Sequence, residues 1–211
     1  MKSFSIKRVF AYSWEIYKKN FLLLGGLCLF IWALSAGFQL LGGAIIEEMS
    51  VPLGMLLLFA GWVITTMLSM GFLYLGLEMA RKKHVSQEDV LHPAPCFIQY
   101  VIVSLLYSAI VFVGLLLFIV PGVIWAIRYG FYQYLVIDKC ANPFRALYIS
   151  GQLTKGHTWK LFLLGLALIV LNLLGVLLVG VGLLVTVPLS VLIGARVYDR
   201  LLMTSKIKFS E

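Results

Sequence analysis

Arg128 is the residue whose position most needs a chemical reason. It is the one basic side chain inside an apolar run, six residues past Pro121 and Gly122. Roughly 9 Å of helix would separate it from a turn there. A guanidinium at such depth costs about 2.5–3.5 kcal/mol on insertion scales unless it is paired or hydrated. Two readings follow. Arg128 lines a cavity and holds an anionic group such as a lipid headgroup, or it is a structural arginine satisfied by carbonyls or reaching to an interface. Glu78 and Asp199 are its candidate partners, although both sit near the ends of their runs. Asn172 and Gln39 are lone amides within apolar runs. Each is expected to bond across a helix interface, with a ligand cavity as the second reading for Asn172.

Catalytic chemistry finds little to work with. His84, His92 and His157 are scattered and lack metal-ligand spacing. There is no GxSxG, no Walker loop and no pair of carboxylates deep in an apolar run. Glu47 and Glu48 are adjacent and read as a solvated turn. Cys28, Cys96 and Cys140 form no CxxC, so neither a disulfide framework nor a metal knuckle is expected. The sequence therefore predicts no enzyme, no cofactor and no metal.

The elements that must position these residues follow from composition. The 211 residues are 62% hydrophobic and only 12% charged, and the mean hydropathy is +1.00. An ordinary soluble domain is about 45–50% apolar and about 25% charged. A soluble fold of this size cannot hide so much apolar surface, which excludes a soluble enzyme, a disordered chain and a nucleic-acid-binding domain. The spacing predicts an all-α, polytopic membrane protein with six transmembrane helices at 21–46, 51–80, 97–120, 123–137, 161–179 and 183–198. The first is too long for a signal-peptide core and reads as a retained helix. The fourth is short, Pro121 and Gly122 read as the turn before it, and Pro188 should kink the sixth.

Charge orients these spans. The net charge is +8, and sixteen of the seventeen Lys and Arg fall on one side of a six-span plan. The opposite turns, at 47–51, 121–122 and 180–182, carry none, and Arg128 is the exception. The positive-inside rule places both termini in the cytoplasm. Amphipathic elbow helices are expected at 5–19 and 142–156, carrying Lys7, Arg8, Lys18, Lys19, Arg145 and Lys155, with Lys160 just beyond. Ser5 and Asn142 can cap them, and Ser86 with Asp89 has capping-box spacing before the third span. Trp14, Tyr17 and Trp159 are placed to anchor at the headgroup level.

The plan is thus three transmembrane hairpins, each preceded by an elbow. A shift of 137 aligns Arg8 with Arg145, Ser13 with Ser150 and Lys18 with Lys155. This is either a parallel repeat of the kind seen in transporters or the common look of basic segments lying on lipid. Small residues recur every four positions at Gly182, Thr186, Ser190 and Gly194. They suit close packing within the chain or a homo-oligomer.

One stretch carries a resemblance. It comprises the Val120, Pro121, Gly122 turn, then Leu135-Val136-Ile137-Asp138, then Ser150, Leu153, Thr154 and Gly156. Over 118–160 it resembles the membrane domain of some bacterial glycerophosphoryl diester phosphodiesterases and its stand-alone six-helix inner-membrane relatives of unknown function. In the fused enzymes catalysis belongs to a separate soluble barrel, for which this chain has no room. The resemblance implies a non-catalytic bacterial inner-membrane protein. Its expected role is envelope or lipid homeostasis, with membrane lipids, anionic ones included, or a membrane protein as partner. The alternative is a small transporter or immunity protein for an amphipathic peptide or lipid.

Overall fold

The computed structural model describes residues 6–81, 85, 87–177 and 180–205. Within them the chain is helical and contains no strand. The helices are α1 (Ile6–Lys19), α2 (Phe21–Glu48), α3 (Val51–Ala80), α4 (Phe97–Leu117), α5 (Ile119–Tyr129), α6 (Tyr132–Lys139), α7 (Pro143–Thr154), α8 (Thr158–Leu177) and α9 (Leu183–Thr204). Two short 3-10 turns, Gln87–Leu91 and Ala94–Cys96, lead into α4. Four segments are long and apolar enough to cross a membrane: α2, α3, Asp89–Leu117 with α4 at its core, and α8. Ser5 and Ser86, two of the expected caps, lie outside the described residues. Asn142 does cap α7, its side-chain oxygen accepting from the Phe144 amide at 3.2 Å. Pro143 follows at the first helical position, where a missing N–H is harmless.

Glycines set how closely the long helices approach. A Cβ on Gly42 would strike Leu58, and one on Gly61 or Gly54 would collide with Phe38 or Ile46. These contacts rise along one helix as they fall along the other, so α2 and α3 run antiparallel. Gly114 against Trp125 and Gly122 against Leu115 do the same for α4 and α5. Gly175 meets Gly182 backbone to backbone between α8 and α9. On α9, Gly182, Thr186, Ser190 and Gly194 therefore pack inside the chain. Thr186 and Gly182 crowd Gly175, Ser190 bonds Asn172, and Gly194 faces the Tyr134 hydroxyl.

The region expected as one short span at 123–137 is different. The chain turns earlier, at Phe118, whose extended backbone (φ −160°, ψ 145°) separates α4 from α5. Pro121 and Gly122 lie within the first turn of α5 and make no break, because the N–H that Pro121 lacks would have no helical acceptor that early. The real break comes at Gly130 and Phe131, between α5 and α6.

Packing is uneven along the helices. Buried side chains concentrate at the end shared by the second half of α3 (Met70 to Ala80), α6, α7 and the second half of α9 (Leu189 to Leu201). The other end stays apolar and uncovered, with Leu116 76%, Phe118 74% and Ile119 74% exposed. Apolar side chains left open in this way call for a nonaqueous surround.

Cys96 and Cys140 face each other within disulfide range, with Cα atoms 5.4 Å apart. Cysteine spacing gave no sign of this approach. Their sequence separation of 44 hides the fact that α4 begins where α6 ends, and a CxxC criterion is blind to such long-range pairs. Cys28 is a buried free thiol. Protein purified without reductant should, after denaturing alkylation, carry one label, on Cys28. Reduction, or Cys140→Ser, should lower stability by about 2–4 kcal/mol, and the Ser variant should no longer respond to reductant. Three labels on unreduced protein would refute the pairing.

Candidate functional site

The densest polar chemistry is an ion cluster at the packed end. Arg81 caps α3 and lies at its centre. Its Nη1 and Nη2 donate to Asp138 Oδ1 and Oδ2 at 2.6 and 2.9 Å, a two-pronged contact with the end of α6. Its Nε donates to Asp199 Oδ1 on α9 at 3.2 Å, and Nη1 also reaches Glu78 Oε1 at 3.2 Å, one turn back on α3. The planar fork of a guanidinium can serve three carboxylates at once, which a lysine cannot. The Tyr198 hydroxyl donates to Asp138 Oδ2 at 3.1 Å. The Asp138 and Asp199 side chains are only 5% and 3% exposed.

A second arginine closes the cluster. Arg196 lies 3.6 Å from Asp199 Oδ2 and donates to the Ala80 carbonyl at 3.0 Å. Its guanidinium covers the Tyr12 ring at 4.2 Å, and the Tyr12 hydroxyl donates to the same carbonyl. The last carbonyls of a helix have no internal donors. Here α1 and α9 supply them to α3. Burial pushes the Asp138 carboxyl up, but the hydrogen bond and charge of Arg81 outweigh it and hold the group below its ordinary value. The hydrogen bond to Asp138 is also the main influence driving Arg81 further above its usual range. The Arg81–Asp138 pair is therefore charged throughout the physiological range, and the cluster clamps α3, α6 and α9 together with α1.

Two further polar contacts repair breaks in helices. Pro188 lies inside α9 and has no N–H to give the Leu184 carbonyl; the Tyr17 hydroxyl, from α1, donates to it at 3.2 Å. At the break between α5 and α6, Ser150 Oγ accepts from the Phe131 amide at 3.2 Å and donates to the Arg128 carbonyl at 3.0 Å. Thr154 Oγ1 lies 3.1 Å from that carbonyl. Both α7 side chains are wholly buried. Irregular backbone in a nonaqueous setting persists only where protein groups satisfy it.

The expected site residues fall out as follows. Arg128 is exposed and its side chain lies against Gly151 of α7, whose Cβ would sit 3.4 Å from Arg128 Nε. Glu78 and Asp199 pair with Arg81 and not with Arg128. Asn172 donates to Ser190 Oγ at 3.0 Å, across the α8–α9 interface, and to Leu168 O at 2.9 Å. Gln39 donates only along its own helix, to Ser35. Tyr17 is 2% exposed and serves α9, whereas Trp159 is 71% exposed. Lys7, Arg8, Lys18, Lys19, Arg145 and Lys155 are exposed and Lys160 is half-buried. Ser13 and Ser150, aligned by the shift of 137, do different work: Ser13 Oγ is buried without a hydrogen-bond partner.

Arg81 did not stand out as a centre in the sequence, because it lies in a basic run with Lys82 and Lys83, and Arg196, Tyr198, Asp199 and Arg200 look like an ordinary membrane boundary. A signal was present. Asp138 and Asp199 adjoin Lys139 and Arg200, and Glu78 stands three residues before Arg81 at the end of a long apolar run. Among the described residues no group of three His, Cys, Asp or Glu is arranged to hold a metal ion. Fold and site define an all-helical chain with four segments able to cross a membrane, tied at one end by a buried ion cluster. Comparison with family models, with curated proteins and with solved structures finds no match.

Proposed function

We propose that the chain is a bacterial inner-membrane protein of six spans in three hairpins, with both termini cytoplasmic, that acts by binding lipid and not by catalysis. Its place in this reading is envelope or lipid homeostasis, the role that the resemblance over 118–160 implies. The observation that carries this reading is the two-sided character of the helices at the basic end. α7 buries Ala146, Leu147, Ser150 and Leu153 in the protein and leaves Phe144 72% and Tyr148 67% exposed beside exposed Arg145 and Lys155. Aromatic rings next to cations suit the level of anionic headgroups.

A transporter is the second reading, and the break at Gly130 and the proline inside α9 motivate it. Transporters use broken helices to offer open carbonyls to cargo or coupling ions. Here the Arg128 and Leu184 carbonyls are already taken by Ser150, Thr154 and Tyr17, which favours binding over transport.

Native mass spectrometry of the full chain, offered equal phosphatidylglycerol and phosphatidylcholine, is the test. Retention of the anionic lipid should fall about fivefold for each basic side chain neutralised among Arg145, Lys155 and Lys160. Equal retention of both lipids would refute the reading. Reporter fusions should place 85–97 and 139–158 on the cytoplasmic side and 49–51 and 180–182 outside.

A further inference from the structure

We propose that the groove at the foot of α2 holds one acyl chain of an anionic phospholipid from the cytoplasmic leaflet, with its headgroup at Lys19. This rests on the lipid-binding reading above and names a separate place for it. The groove has a volume of about 640 Å³, within the usual size of small-molecule sites. Its wall is the α2 face carrying Leu23, Leu27 and Phe30, and Val90 stands opposite. Val90 is fixed there because its carbonyl packs onto Gly71 of α3, where a Cβ would collide with it. Lys19 and Asn20 form the polar end.

Three observations select the occupant. The first is length. From Phe21 to Phe30 the helix rises about 14 Å, close to half of the roughly 30 Å hydrocarbon core. The wall thus matches one leaflet. The second is polarity. Apart from Lys19 and Asn20 the lining is apolar, and Asn20 Nδ2 is already bonded to the Ile16 carbonyl. A peptide would leave its own N–H and C=O groups without partners along this wall, whereas an acyl chain has none to satisfy. The third is charge. Lys19 is exposed, and among the described residues it has no carboxylate partner. Lys19 is the one cation of the lining, so an anion at this end meets its ammonium. The floor is Gly26, where a Cβ would meet nothing within 4 Å. No protein contact requires a glycine there, and its bareness keeps the groove open.

The test uses the full chain in phosphatidylcholine–phosphatidylglycerol nanodiscs, with a phosphatidylglycerol probe bearing a diazirine midway along one acyl chain. Adducts should concentrate on residues 22–30 and Val90. Gly26→Trp, which fills the floor without touching the fold, should abolish them with the thermal midpoint unchanged, and Gly26→Leu should act in the same direction if the larger side chain impairs folding. Lys19→Gln should lower labelling about fivefold and leave a matching phosphatidylcholine probe unaffected. Adducts spread evenly over α2, α4 and α8, labelling unchanged by both Gly26 variants, or equal labelling by the phosphatidylcholine probe would each overturn the proposal. So would crosslinks from this face to a second copy of the chain. Phosphatidylglycerol adducts confined to α7 would sink the groove and spare the lipid-binding reading; no preference for phosphatidylglycerol anywhere would sink both.

Discussion

Arg81→Ala is expected to lower stability by about 3–5 kcal/mol, the cost of removing one partner from a buried ion pair. The reason lies less in what the arginine gains than in what its loss leaves behind. Asp138, Asp199 and Glu78 would remain together, with Arg196 near only one of them. Arg81→Lys should be intermediate, because one ammonium cannot grip both oxygens of Asp138 and also reach Asp199. Arg81→Met combined with Asp138→Asn should lose less than the sum of the single changes, since each removes the other's uncompensated charge. Thermal unfolding in detergent, scored by loss of the folded elution peak, reads these variants together with the two single changes. A cost for Arg81→Ala under about 1 kcal/mol, typical of a surface pair, would show that the cluster is solvated.

The same cluster predicts an acid limit. The folded Asp138 carboxyl is held below its ordinary value, so its contribution is complete above the ordinary range near pH 4 and is lost as pH falls through that range and below. Asp138→Asn should flatten this part of the stability profile. An unchanged acid limb in that variant would remove Asp138 from the explanation.

Ser150→Ala together with Thr154→Val is expected to cost about 2–4 kcal/mol, from about 1–3 kcal/mol for each buried polar group left unpaired. The two hydroxyls share one acceptor, the Arg128 carbonyl, so the effects should not add fully. The Phe131 amide would lose its partner as well. Hydrogen exchange should therefore rise at 128–133 before it rises in α3 or α9. Exchange that increases uniformly, or not at all, would mean that the break between α5 and α6 is held by packing alone. Ser13→Ala is the matched control, because that hydroxyl has no hydrogen bond to lose, and it should be close to neutral.

Much of the helical plan was legible because a long uncharged run leaves the backbone few alternatives in a nonaqueous setting. The bounds 21–46 and 51–80 meet α2 and α3 within two residues. The runs 161–179 and 183–198 fall on α8 and α9, which extend three residues earlier and six residues later, respectively. The fourth run was misread because Pro121 and Gly122 carry the signature of a turn, while the deciding residue, Phe118, carries none. Ser150 and Thr154 were legible only as part of a pattern. Their task depends on a break twenty residues upstream that no local rule identifies.

The sequence by itself determined that this chain is helical and apolar, that its basic residues gather in particular connections, and where most helices begin and end. Those properties are sums over local segments, fixed by hydropathy, by charge and by backbone hydrogen bonds made within one helix. Only the tertiary structure decided which charges meet. Arg81 finds Asp138 and Asp199 across separations of 57 and 118 residues, and Cys96 finds Cys140 across 44. Arg128, the most conspicuous charge in the sequence, is tied to α7 through its backbone carbonyl. A buried ion pair depends on where helix ends come together, and that is set by how glycine-lined faces pack and where the chain turns back.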